Sequence, residues 1–557
     1  MKKKDSKIVG SNLEQEQARK TFSGITLKEL YTPEDVQNID YDKDIAASGE
    51  YPFTRGIYRD MYRGRLWTSR EITGLGTPTQ TNERLKFELE SGARGLDVIS
   101  DMPGQMGIDT DHPRAKGEVG RLGASLTTLL EMEQMLDGIP CDQITFVFDN
   151  SPAHLASTTL AQYLVANEKR GISKDKLNFT IQNDPWHIFL CGGGAAGEER
   201  PLNLALKVRT DVLEYAVREG IQLYNQVNLY DMRELGVTAP QEIAFAFSIA
   251  IAYMDEALKR GLTIDEIVSR TAFVCSCQVD FFEEIAKFRA ARRMWARLIR
   301  ERYKSENKRS WRFRFGVHTA GCSLYPQQIQ NNIVRVAYQV LAAALGGAQA
   351  IVPCCFDEPV STPTAESHRL ALRTQQIVAH ELGITNVTDP LGGSYYVESL
   401  TNKVEEEANA VLRKIEELGG AGEALRTRWF DKQGEKSSIQ HIKEIETGER
   451  IIVGVNAFTM QEEKTAGSFH RYDPEAERMV VAQLKELKQR RDNDKVRKAL
   501  EKIQAQAEQS ERGDNINLIP AIIEAVRVYA TLGEICGMMR QGYGYTYDVF
   551  DGIRAIY

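Results

Sequence analysis

"QITFVFDNSPAHLASTTLAQYLVANEKRGISKDKLNFTIQND" (143–184) decides the fold. Two short apolar runs, "QITFVFDN" (143–150) and "FTIQND" (179–184), each end in polar residues, and a longer helical pattern lies between them. Strand, helix, strand is the unit that lays parallel strands side by side, because a parallel pair needs a crossover of a dozen or more residues. The same alternation runs outward from about residue 93 to residue 395. Upstream stands "GLDVISD" (95–101); downstream stand "VNLYD" (227–231), "AFVCSCQVD" (272–280), "RFRFGVHTA" (312–320), "AQAIVPCCFDE" (348–358) and the weaker "NVTDP" (386–390). Helical patterns such as "GRLGASLTTLLEMEQMLDG", "PQEIAFAFSIAIAYMDEALKRG" and "QQIQNNIVRVAYQVLAAALGG" separate them and close on glycine, a common helix stop.

Eight strands alternating with helices over roughly 300 residues is close to the size of a (β/α)8 TIM barrel. A doubly wound open sheet shares the same unit, but the strand count and the lack of a GxGxxG turn favour the barrel. The expected class is therefore α/β. Residues 1–50 read as a polar N-terminal arm, 51–400 as the barrel and 401–557 as a helical C-terminal extension. In that last stretch "VEEEANAVLRKIEELGG" and "PEAERMVVAQLKELKQRRDNDKVRKALEKIQAQAEQSERGD" are charged and amphipathic, which reads as solvated helix.

The chain of 557 residues is 42% hydrophobic and 27% charged, with a formal net charge of −8, the balance of a globular protein with a large core. An acidic total argues against general nucleic-acid binding, which needs an excess of Lys and Arg to displace counterions. "MKKKDSKIVG" has no apolar leader segment and no run approaches the length of a membrane span, so no membrane role is expected and the expected location is the cytoplasm. The eight cysteines form no CxxC pair and the eight histidines no HExxH, so no protein-built metal centre is expected.

A barrel places its chemistry at the C-terminal ends of the strands. Those ends carry Asp101, Asn150, Gln182-Asn183-Asp184, Tyr230-Asp231, Gln278, His318-Thr319 and Cys354 with Glu358. Each alone is more often structural than functional, since chains leave the core there. As a set they are mostly uncharged. They lack a carboxylate pair suited to glycosides, a GxSxG elbow and a phosphate loop, so the reactivity is expected from a cofactor. A second feature is "YPFTRGIYRDMYRGRLWTSREITGLG" (51–76), with Arg55, Arg59, Arg63, Arg65 and Arg70 among aromatic residues. Their spacing is too irregular for one helix face and fits a segment wrapped around an anionic ligand. The glycine runs "CGGGAAGEERP" (191–201) and "DPLGGSYYVE" (389–398) are weaker signals.

At "YPFTRGIYRDMYRGRLWT" the sequence resembles the large or catalytic subunit of the methylmalonyl-CoA mutase family. The likeness continues through "DMPGQMGIDTDHPRAKGEVGRLG", "TIQND", "FFEEIAKFRAARRMWA", "QNNIVR", "TDPLGGSYYVESLT" and "IPAIIEAVRVYATLGEIC", nearly the whole chain from about residue 25. The resemblance implies an acyl-CoA threaded down a barrel capped by adenosylcobalamin, whose homolysis yields a radical that starts a 1,2-migration. It implies coenzyme A contacts at Tyr58, Asp60, Met61, Arg65, Thr68, Arg70 and Arg270, and thioester or acyl contacts at Thr180 and Gln182. It implies positions near the substrate and the adenosyl ribose for Gln349 and Glu358. The family's DxHxxG cobalt-binding motif is absent from the sequence. The expectation is a separate small cobalamin-binding subunit that ligates the cobalt, and a hetero-oligomer.

Three positions depart from what the family's branches carry. Gly192 stands where an arginine clamps the free carboxylate, Ile72 where a tyrosine packs, and Ile99 where the 2-hydroxyisobutyryl branch has an aspartate. The family's "GYH" histidine is also missing; Asp231, beside Tyr230 in "NLYDMRELG", takes roughly its place, and His318 stands where the family has glutamine. The expected catalytic group is thus Tyr230, Asp231, Gln182 and His318. The leading reading is a mutase for a branched or bulky acyl-CoA other than methylmalonyl-CoA. The alternatives are methylmalonyl-CoA mutase itself, with the carboxylate on Arg309 or His318, and a catalytically silent acyl-CoA-binding or partner-binding relative.

Overall fold

The quoted unit folds as read. In a computed structural model that describes residues 19–150, 152–186, 202–461 and 469–550, it forms a strand Thr145–Asp149, a helix Ala153–Lys169 and a strand Asn178–Ile181. These are two of nine strands: β1 Thr68–Ser69, β2 Ile72–Thr73, β3 Gly95–Ile99, β4 Thr145–Asp149, β5 Asn178–Ile181, β6 Gln222–Asn228, β7 Thr271–Cys277, β8 Phe315–Thr319 and β9 Ala350–Val352. All pair in parallel, in the order β1-β9-β8-β7-β6-β5-β4-β3-β2. The two end strands are halves of one chain segment: β1 pairs with β9 through Thr68↔Ala350, β2 pairs with β3 through Ile72↔Asp97, and only Arg70 and Glu71 separate them. The sheet therefore closes on itself through the covalent chain, as an eight-position ring with one broken strand. This is the TIM-like barrel expected.

The eighth position was assigned to the wrong segment. "NVTDP" is no strand: Ile384–Asn386 forms a 3-10 turn, and the ring is completed by "TSREIT" (68–73) instead. That stretch carries two charged residues and pairs over only two residues on each side, so its apolar pattern is too short to read. The strand expected at 227–231 runs at Gln222–Asn228, and Tyr230–Glu234 is already helical.

Alternation along the strands separates two environments. Leu96, Val98, Phe146, Phe148, Phe179, Ile181 and Leu223 pack outward into one apolar cluster with the surrounding helices, and Phe273, Cys275, Phe315, Val317 and Ile351 into another. The alternate residues face the axis. They include Asp97, Thr145, Val147, Asp149, Thr180, Tyr224, Gln226, Ala272, Val274, Ser276, Gly316, His318, Ala350 and Val352, and several of them stay partly exposed although every outward neighbour is buried. Barrels of this class usually fill the axis with bulky Val, Ile and Leu. Here valines share it with small and polar residues.

The C-terminal extension is helical as expected, and part of it packs on the barrel instead of standing in solvent. Asn493–Glu511 buries Val496, Leu500, Ile503 and Ala507, one face at helical spacing, and with Ile519–Arg527 and Leu532–Gly542 it covers the barrel helix Ala153–Lys169. The helix Tyr395–Glu417 crosses residue 400 and packs Val397, Leu400, Val404 and Ala408 against the barrel helices Ala239–Lys259 and Phe281–Arg297. From the N-terminal arm, the Phe22 N–H donates to Asp280 at 2.8 Å and the Ser23 N–H to Glu283 at 3.1 Å.

Candidate active site

The expected site residues divide between the two ends of the barrel. Tyr58, Asp60, Met61, Arg65 and Thr68 precede or open β1, Arg270 immediately precedes β7, and Gln349 immediately precedes β9; all lie at the N-terminal end. Ile72, Ile99, Gln182, Tyr230, Asp231, His318 and Glu358 lie at the C-terminal ends of their strands, and Thr180 faces the axis below Gln182. Gln349 is therefore not brought to Glu358. Its amide accepts from the Phe315 N–H at 3.0 Å and donates to the Gly347 carbonyl at 2.6 Å, at the opposite end of the ring. Gly192 lies outside the described residues.

The N-terminal end is basic. Tyr58, 43% exposed, stacks with Arg312, whose guanidinium stands 5.2 Å from the ring centroid. Arg312 feels the positive charges of Arg314 and Arg309, and its Nε is buried without a hydrogen-bond partner. Arg270 donates to the Ile221 carbonyl at 3.3 Å. With the exposed Arg65 these form a cationic rim suited to phosphates. Arg312 and Arg314 were missed from sequence because the whole run "RFRFGVHTA" (312–320) was read as a strand, whereas the strand begins at Phe315. Two of the five arginines in 51–76 have hydrogen-bond partners within the protein. Arg55 donates to Asp389 at 2.9 Å, a structural pair, and Arg70 reaches into the barrel to the Thr145 hydroxyl.

At the C-terminal end, the His318 ring meets Tyr230 edge-on, with centroids 5.2 Å apart. Burial drives the His318 pKa down to about 4, and Arg70 adds to this against the opposing charge of Asp231. The imidazole is thus neutral near pH 7. Its 3.9 Å approach to Asp97 is neither an ion pair nor a hydrogen bond. Asp231 is tied locally: the Asn228 Nδ2 donates to its carboxylate at 2.8 Å, and its own N–H donates to Asn228 Oδ1 at 3.0 Å. Tyr230 keeps its phenol proton, because burial raises it well above the usual range.

Sequence reading also passed over Asp97 and Asp149. Both interrupt apolar strands, "GLDVI" and "TFVFD", at inward positions, which is the signal that was available. Asp97, Asp149 and His318 bring one ligating atom each within 4.8 Å of one another. A divalent cation is opposed there by Arg70, whose charge acts on both carboxylates.

A cavity of about 580 Å³ is lined by Ile72, Thr73, Gly74, Ile99, Arg84, Arg121, Glu358 and Thr362 among others. Three of the expected residues, Ile72, Ile99 and Glu358, meet here. Glu358 accepts the Cys355 N–H, and burial raises its pKa to about 7. A carboxylate in such a wall suits a diol such as a ribose. Gly74 shapes the wall: a Cβ there would sit 2.5 Å from both the Ala124 nitrogen and the Ile99 carbonyl oxygen. Chemically, one end of the barrel offers guanidinium groups suited to phosphates, and the other offers the uncharged side chains of Gln182, Tyr230 and neutral His318.

Residues 20–545 match the methylmalonyl-CoA mutase family. The 2-hydroxyisobutanoyl-CoA mutase large subunit of Aquincola tertiaricarbonis is 36% identical over 544 residues, covering 96% of this chain and 94% of that protein. Methylmalonyl-CoA mutase of Rhizobium meliloti is 36% identical over 526 residues, covering 94% of this chain and 72% of that protein. The human mitochondrial methylmalonyl-CoA mutase is 33% identical, with 94% and 68% covered. No helix among the described residues is long and apolar enough to cross a membrane.

Proposed function

The chain belongs to the methylmalonyl-CoA mutase family, and from that premise we propose that it is the large subunit of an adenosylcobalamin-dependent acyl-CoA mutase, working on a branched or bulky acyl-CoA. The carrying observation is the division of the barrel. A basic rim of Arg65, Arg270, Arg312 and Arg314 lies at one end, and uncharged donors lie at the other, across an axis shared by valines and small or polar residues. A coenzyme A ester has that polarity, with phosphates at one end and a thioester at the other.

In this reading Tyr58, Asp60, Met61, Arg65, Thr68 and Arg270 hold the nucleotide end. Thr180 and Gln182 hold the thioester, and His318, Tyr230 and Asp231 surround the acyl group. Ile72 and Ile99 give the acyl chain apolar walls. Glu358 would hold the adenosyl ribose. Adenosylcobalamin, when bound, supplies the radical chemistry of a 1,2-rearrangement. The chain's own part is to orient the acyl group, to exclude water and to keep neutral hydrogen-bond donors around it. The large-subunit name of one relative supports a separate small cobalamin-binding subunit and a hetero-oligomeric enzyme.

A second reading, methylmalonyl-CoA as substrate, draws on Arg84 and Arg121 in the cavity wall. Arg309 does not serve it, because it lies beside Arg312 at the basic end. Incubation of the chain with a small cobalamin-binding subunit, adenosylcobalamin and a panel of acyl-CoAs separates the two. Cob(II)alamin formation and rearranged product with a branched acyl-CoA, but not with methylmalonyl-CoA, is the expected result. Turnover of methylmalonyl-CoA favours the second reading, and failure to bind any acyl-CoA overturns both.

A further inference from the structure

Three side chains in the wall of the C-terminal cavity have no part in the reading so far. Arg84 and Glu88 stand one turn apart on one face of the helix Pro78–Glu90, and His368 lies in the first turn of the helix Ala365–His380. Glu88 and His368 are 0% and 2% exposed, and Glu88 Oε1 lies 2.9 Å from His368 Nδ1. Arg84 Nη1 donates to the Pro363 carbonyl at 3.1 Å. Pro363 ends the loop that carries Glu358, and the Ser367 hydroxyl ties that loop to the second helix by donating to Asp357 at 2.8 Å. Arg84, His368 and Glu358 therefore share one wall of the 580 Å³ cavity.

Both groups face the cavity with bonding capacity unused. Glu88 occupies His368 Nδ1, so Nε2 is the ring's remaining polar atom, and it has no hydrogen-bond partner among the described residues. Arg84 has no ion-pair partner among them and makes one hydrogen bond with its five N–H donors. Burial, with Arg84 nearby, keeps the imidazole neutral, its pKa lowered to about 3. With its proton on Nδ1, facing the carboxyl, the ring turns a lone pair towards the cavity. An acceptor and a donor then stand side by side. A carboxylate or phosphate suits the guanidinium but is repelled by the lone pair. The edge of an aminopurine suits both, because its amino group donates and the neighbouring ring nitrogen accepts. Leu122 and Val360, which line the same cavity, keep 54% and 42% of their surface exposed, apolar area for the faces of a flat ring.

We infer that His368 Nε2 and Arg84 read the amino edge of an adenine base whose ribose lies on Glu358, with Glu88 as the positioning residue that holds the His368 proton on Nδ1. The inference rests on the reading of Glu358 proposed above and extends it from the sugar to the base. It makes this wall selective for an amino group over a carbonyl. It also gives Arg84 a task other than clamping an acyl carboxylate.

The test titrates the purified full chain with adenosine and with inosine by calorimetry, and with isobutyryl-CoA as a control on the same preparations. Inosine carries a carbonyl in place of the amino group, so it turns an acceptor towards the Nε2 lone pair. The wild type is expected to bind adenosine at least about tenfold more tightly than inosine, the worth of one hydrogen bond. His368→Leu removes that preference. His368→Gln, whose amide oxygen also accepts, retains part of it, which separates loss of the acceptor from misfolding. Arg84→Met weakens adenosine binding about tenfold. In 15N spectra of the histidine-labelled chain, the His368 signals, identified by their loss in His368→Leu, show the proton on Nδ1, and Glu88→Gln, whose amide serves either tautomer, mixes the two. Equal affinity for the two nucleosides, no binding of either, a preference unmoved by His368→Leu, or a proton found on Nε2 overturns the inference. Binding of isobutyryl-CoA by the same chain then leaves the acyl-CoA reading standing, and its absence overturns both.

Discussion

The His318 imidazole and the Tyr230 ring meet edge to face, 63° from parallel, with centroids 5.2 Å apart. Burial, with Arg70 nearby, takes the His318 pKa to about 4 against the pull of Asp231, well below the ordinary value. We expect the His318 ring nitrogens to show a neutral imidazole from pH 5.5 to pH 8 in 15N-detected spectra. Because the folded pKa is depressed, the unfolded chain takes up a proton first as pH falls, so His318 lowers stability between about pH 6.5 and pH 4. His318→Phe should flatten that acid limb of the denaturation midpoint while cutting turnover by about 10- to 100-fold. A wild-type imidazole that titrates near pH 6.5 contradicts the geometry.

The walls of the C-terminal cavity bear on acyl size. Ile72 and Ile99 line it together, on β2 and β3, and both keep exposed surface. Replacing Ile99 by Ala removes three carbons from the wall. Each methylene in such a pocket is worth about 1–3 kcal/mol of discrimination, so the kcat/KM ratio of a bulkier acyl-CoA to isobutyryl-CoA should rise by at least about tenfold. Competition assays over a series of branched acyl-CoAs measure it, and an unchanged ratio removes Ile99 from the acyl pocket.

What was legible in the sequence follows from physical scale. Apolar runs such as "TFVFD" and "AFVCSC" announce strands because their outward faces are wholly buried, and such runs give seven of the ring's eight positions. Thr68–Thr73 was not legible, because a strand broken at Arg70 and Glu71 shows no run at all. Asp97 and Asp149 were visible letters with invisible meaning: only closure of the ring brings residues 97, 149 and 318 within reach of one another. The amphipathic 493–511 helix looked solvated because only four of its 19 residues are buried, and the sequence does not say what covers them.

Asp389 anchors the N-terminal segment to the barrel. It accepts from Arg289 at 2.6 Å and from Arg55 at 2.9 Å, and Arg289 is buried with Glu398 as its second partner. Asp389→Ala leaves Arg289 half-compensated inside the protein, and breaking a buried pair in this way costs about 3–5 kcal/mol. Arg55, with 28% of its side chain exposed, is replaceable at about 1 kcal/mol or less. Urea denaturation of the two variants measures the difference. Equal losses would mean that Asp389 acts on the loop alone.

Glu358 offers a test with both a cofactor readout and a readout on the chain alone. Burial lifts its carboxyl to about 7 against the pull of the Cys355 N–H. A folded pKa raised above the unfolded value means that stability is lost as pH rises from about 4.5 through 7, because the unfolded chain ionises first. Glu358→Gln removes that term, so the variant should gain on the order of 1 kcal/mol over the wild type at pH 8 and nothing at pH 4, the figure being reduced for the water that reaches the cavity. The ionised form is also the better partner for two hydroxyl donors. With the small subunit present, wild-type capture of adenosylcobalamin, followed by absorbance, should therefore tighten from pH 6 to pH 8, and that of Glu358→Gln should not. Should the variant track the wild type in both measurements, Glu358 neither titrates in this range nor meets the ribose.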